Sequence, residues 1–105
     1  MIKDLLMYSV TKEHDETFIL GAVIEDEKLT LLGQDCCALA EEFYGEKVHD
    51  YAICFNKAQT KKIFASLGGK EPLVELRDKL FSDAYENRHL YDFCIEKGIR
   101  FKKFM

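Results

Sequence analysis

Between residues 2 and 12 apolar side chains fall on both parities, Leu5 and Met7 on one and Leu6, Tyr8 and Val10 on the other. That pattern predicts a strand with both faces partly covered. Thr17 to Ile24 is a second β-rich run, with Phe18, Ile19, Leu20, Val23 and Ile24, and Leu29-Thr30-Leu31-Leu32 is a third. Polar clusters separate them: Lys12-Glu13-His14-Asp15-Glu16, then Glu25-Asp26-Glu27-Lys28. Three strands joined by short polar turns predict an antiparallel meander.

After Gly33-Gln34 the period changes. Asp35 reads as a helix N-cap, and Cys36, Leu39, Ala40 and Phe43 fall on one helical face with Glu41 and Glu42 opposite. Gly45 would end that helix. Val48 to Phe55 reads as a fourth strand, with Tyr51, Ile53 and Phe55 on one face. Asn56 caps the next helix, and Gln59 at its third position makes a variant of the capping box. Thr60, Ile63, Phe64 and Leu67 form its buried stripe, Lys57, Lys61 and Lys62 face water, and Gly68-Gly69 closes it. Pro72 belongs in the first turn of a further helix, where its missing N–H costs nothing. Leu73, Leu76, Leu80 and Phe81 line that helix, Ser82-Asp83 break it, and a last helix carries Leu90, Phe93 and Cys94 up to Gly98. Ile99 to Phe104 reads as a short edge strand whose lysines discourage aggregation.

The order β-β-β-α-β-α-α-α-β predicts one α+β domain over residues 1–105. Its sheet is antiparallel or mixed, built on an N-terminal three-strand meander, with helices packed on one face. Phe55-Asn56-Lys57, Thr60, Ile63, Leu67-Gly68, Phe93-Cys94 and Gly98-Ile99-Arg100-Phe101 with Phe104 together resemble a pattern in small uncharacterised bacterial proteins. The resemblance covers mainly the C-terminal half, with Gly33-Gln34-Asp35 and Phe43-Tyr44-Gly45 as extensions. It implies a bacterial cytosolic origin and carries no activity, cofactor or catalytic residue.

Composition narrows the function classes. With 48% hydrophobic residues in 105 the chain can build a core, and no apolar run approaches the length of a membrane span. The N-terminal run is interrupted by Asp4 and has no small-residue cleavage site, unlike a signal peptide. A net charge of −4 argues against a dedicated nucleic-acid binder. The charge is unevenly spread: residues 1–50 hold four bases against twelve acids, and residues 51–105 eleven bases against seven acids. Asymmetry of this kind can mark a binding face.

Cys36, Cys37, Cys54 and Cys94 show neither disulfide-scaffold nor zinc spacing, and His14, His49 and His89 are scattered. The expectation is reduced, packed thiols in a cytoplasmic protein, with no metal and no cofactor. A nucleophilic cysteine needs a base beside it. His49 and Cys54 fall on opposite faces of a strand, and His89 and Cys94 are rotated apart on a helix. No phosphate loop, dinucleotide, metalloprotease or nucleophile-elbow motif is present.

What remains is charge and an apolar pattern without chemistry. The leading expectation is a small protein-interaction module, in its concrete form an inhibitor or immunity-type protein docking a basic partner. Its candidate contact residues are Asp15, Glu16, Glu25, Asp26, Glu27, Glu41, Glu42, Glu46 and Asp50. A second copy of the chain is another admissible partner. The alternatives are a small enzyme or ligand-binding domain using a Cys/His pair, and weak nucleic-acid binding through Lys57, Lys61, Lys62 and the C-terminal Arg100, Lys102 and Lys103.

Overall fold

A computed structural model of the chain describes residues 3–12, 16–36, 48–81 and 87–104. The described residues form an α+β fold with a five-stranded sheet in the order β1-β2-β3-β4-β5. The strands are β1 (Lys3–Lys12), β2 (Glu16–Glu25), β3 (Lys28–Cys36), β4 (Val48–Cys54) and β5 (Lys102–Phe104), and every pairing is antiparallel. Three helices follow β4: α1 (Lys57–Leu67), α2 (Pro72–Leu80) and α3 (Arg88–Lys97).

The meander forms where the alternation predicts it. β2 and β3 turn through a two-residue loop, Glu25 pairing with Lys28, and Asp26 and Glu27 both have positive φ. That is the primed turn whose twist matches a hairpin, here made without glycine. β1 departs from simple alternation. A bulge between Leu6 and Tyr8 buries both Met7 and Tyr8. The bulge explains why apolar residues occupy both parities: the core side changes parity partway along the strand.

β3 runs further than expected. Asp35 and Cys36, read from sequence as a helix cap and first turn, instead continue the strand and pair with His49 and Val48. Gly33 stays in the strand, with the Tyr51 ring on β4 lying across the place where a Cβ would stand. A glycine in a strand can mark such a close approach. The remainder of the first predicted helix lies outside the described residues, as does the Ser82-Asp83 break.

One face of the sheet carries the core. Leu20, Leu29, Leu31 and Ile53 are fully buried against Ile63, Leu76, Leu90 and Cys94 from the three helices. The helix stops follow expectation: the Gly68 N–H closes α1 onto the Phe64 carbonyl, and Gly98 is left-handed at the end of α3. Among the described residues after α3, strand character is confined to Lys102–Phe104, and Ile99 is instead buried in the core.

Candidate functional site

The end of the sheet that carries the β2–β3 turn is tied to α1 by one side chain. Thr60 is the buried polar residue of the described core. Its Oγ1 accepts the Leu29 N–H at 3.0 Å and faces the Phe55 carbonyl at 3.5 Å, while the Phe55 N–H donates to the Leu29 carbonyl at 2.9 Å. The hydroxyl therefore stands in for the rung that Leu29 and Phe55 would otherwise complete, and it lets the chain leave the sheet to start α1. Asn56 caps that helix, its Oδ1 accepting the Gln59 N–H at 2.9 Å. The reciprocal arm of the expected capping box is not made. The Gln59 side chain accepts the Arg100 N–H at 2.9 Å instead and pins the approach to β5.

With α1 held there and α2 beside β1, an open groove of about 1010 Å³ remains between the sheet end and the two helices. Leu5 and Ile24 from the sheet, Phe64 from α1, and Leu73 and Val74 from α2 give it an apolar floor. Lys3, Lys57 and Lys61 stand around it with Glu27 and Glu71, while Asp4 borders it from β1 at a strand position that belongs to the opposite sheet face. Lys57 lies 3.9 Å from Glu27, both well exposed, a pair that adds little stability. The volume is at the upper end of small-molecule sites.

The sequence-derived acidic residues divide between two places. Glu25, Asp26 and Glu27 are exposed at the β2–β3 turn, and Glu27 lines the groove. Asp50 is exposed at the other end of the sheet, opposite Gln34, whose Nε2 donates to its carboxylate at 3.0 Å. Along β3 the two groups are roughly 20 Å apart at the strand rise of about 3.3 Å per residue. Glu16 opens β2 at the Asp50 end. Asp15, Glu41, Glu42 and Glu46 lie outside the described residues.

Cys94 is buried, and burial pushes its thiol up to about 11, far from a thiolate at neutral pH. His89, five residues before it on α3, is exposed. Cys54, a free thiol, lies half-buried on the sheet face away from the helices. The basic residues of the C-terminus diverge. Lys103 places its Nζ 5.2 Å from the centre of the Tyr51 ring and 5.6 Å from that of Tyr91, on the helix side, and Lys102 takes the other face. Among the described residues no three His, Cys, Asp or Glu side chains converge as a metal site, and no helix is long and apolar enough to cross a membrane.

Sequence reasoning found the acids at the groove mouth and the α1 lysines but missed the groove itself. Its floor combines residues from β1, β2, α1 and α2, and only Phe64 and Leu73 stood out as part of helical stripes. Comparison with family models, curated proteins and solved structures finds no match to the chain.

Proposed function

We propose that this chain is a protein-interaction module whose groove receives an apolar segment of a partner protein. The observation that carries the reading is the groove: an apolar floor inside a rim that carries both lysines and carboxylates. A rim carrying both signs suits a polypeptide segment with its own mixed charges better than an anionic lipid or nucleic acid, which would call for a large basic surplus. Glu27 on the rim, in the same exposed acidic turn as Glu25 and Asp26, favours basic residues in the docked segment. A bacterial cytoplasmic inhibitor or immunity protein acting on a basic partner is the form of this role that agrees with the acidic N-terminal half.

The groove is tested by filling it. Ala58 is exposed on α1 and lines the groove, so Ala58→Arg obstructs it without touching the core. Ile95 on α3 is 80% exposed and outside the groove, so Ile95→Glu serves as the control. Captured from the native host, a partner held by the wild type and Ile95→Glu but released by Ala58→Arg supports the reading. Its retention should also fall as salt rises. No retained protein, or one indifferent to Ala58→Arg, overturns it.

A further inference from the structure

The three described helices all pack on one side of the sheet, and no described element covers the other. An antiparallel sheet with one wet face normally shows polar residues there. This one does not. The strand registers align Leu6, Gly21, Leu32, Ala52 and Phe104 in a single row across all five strands. Leu6, Leu32 and Phe104 are 53%, 51% and 56% exposed, three of the four large exposed hydrophobic residues among those described. The adjacent row reads Asp4, Val23, Thr30, Cys54 and Lys102, adding apolar surface at its middle and opposite charges at its two ends. On the far side Gln34 and Asp50 are hydrogen-bonded to each other and close the patch with polar groups.

We infer that this face is a symmetric interface between two copies of the chain, packed sheet on sheet about a two-fold axis running along β3. β3 is the central strand of five. Rotation about an axis parallel to it lays β1 of one copy over β5 of the other and superposes each row on its own reversal. Leu32 then meets Leu32 of the second copy on the axis, Leu6 lies against Phe104, and small Gly21 lies over small Ala52. Asp4 comes opposite Lys102, twice by symmetry. An axis across the strands would instead set β1 on β1 and β5 on β5, gathering carboxylates at one edge and ammonium groups at the other. Charge therefore selects the first arrangement.

The whole face sets the upper bound on such a contact. Strands of 10, 10, 9, 7 and 3 residues present a face whose flat projection is roughly 600 Å² at standard strand rise and spacing. Side-chain relief raises the accessible area above that projection, toward the roughly 800 Å² per partner of a stable interface. Aligned packing of two twisted sheets at about 30° keeps contact strongest at the two central rows and lets the polar corners diverge. The groove opens on the helix side, so such a dimer would present two docking sites facing outward.

Sedimentation equilibrium of the full chain, from submicromolar to hundreds of micromolar, tests the inference. The wild type should reach twice the chain mass. Leu32→Asp sets two carboxylates together on the axis and should weaken association by roughly a hundredfold or more. Asp4→Lys and Lys102→Asp should each weaken it by roughly tenfold, and the two combined should restore it. That rescue does not depend on how Leu32→Asp folds. In parallel, Cys54 should be labelled more slowly in the wild-type dimer than in dilute monomer. A wild type that stays monomeric overturns the inference, as does a dimer indifferent to Leu32→Asp or a double charge swap weaker than either single change.

Discussion

Replacing Thr60 by valine removes one oxygen from the core and almost nothing else. Valine keeps the size and β-branching of threonine and differs little from it in helix propensity. The Leu29 N–H then loses the acceptor it holds at 3.0 Å, and Leu29 is fully buried. A buried donor left without a partner costs about 1–3 kcal/mol, and the weak 3.5 Å contact to the Phe55 carbonyl goes with it. A destabilisation of about 2 kcal/mol follows, or roughly 1 M in the urea midpoint for a domain of this size. Thr60→Ser is the matched control: it keeps the hydroxyl and loses one buried methyl, at about 1 kcal/mol. Urea unfolding followed by circular dichroism gives both values, and hydrogen exchange of the Leu29 amide should accelerate in the valine variant alone. If the sheet simply closed its own rung between Leu29 and Phe55 once the hydroxyl was gone, Thr60→Val would be no less stable than Thr60→Ser. That result would refute the relay.

Two further outcomes follow from backbone and burial. Glu27 has φ 62° in a loop that favours glycine, so Glu27→Gly should raise the thermal midpoint, by about 0.5–1 kcal/mol in stability; a lower midpoint would show that the turn is held by the Glu27 side chain. Burial raises the Cys94 thiol from 9.0 to about 11, so the folded state holds its proton more tightly than the unfolded state. The resulting stability is complete below pH 9 and is lost as pH climbs toward 11, at most about 2–3 kcal/mol. Unfolding titrations from pH 8 to 11 should show that slope flattened in Cys94→Ala, and an unchanged slope would remove the thiol as its cause.

The proposed role is an interaction module, and among the described members of its expected acidic set Glu25, Asp26 and Glu27 lie at one end of β3 and Asp50 toward the other. Glu25–Glu27 and Asp50 came from the same surplus of charge, and composition does not record that a β-hairpin separates them by the length of β3. Among the described members of that set, Glu27 lines the groove. The groove offers an apolar floor, where binding energy concentrates, whereas exposed charges govern encounter and specificity more than affinity.

Local pattern was sufficient for most elements. The β-rich runs of β1 to β4 between polar turns, the i, i+3, i+4 stripes of α1 to α3, the Asn56 cap, Pro72 at a helix start and Gly68 and Gly98 at helix ends depend on neighbours within a turn or two, so the sequence alone determined them. What lay beyond it involved partners far along the chain. Gly33, Asp35 and Cys36 carry turn and cap signals, yet β4 supplies hydrogen bonds and the Tyr51 ring that keep them in a strand. Gln59 looks like a capping residue, and Arg100 takes its side chain from 41 positions away. The groove and the apolar row exist only once register aligns residues that share no local pattern: Leu6, Leu32 and Phe104 are isolated hydrophobic letters until antiparallel pairing sets them side by side. Hydrophobic periodicity dictates which way a side chain points from its own strand or helix, but tertiary pairing decides what it points beside.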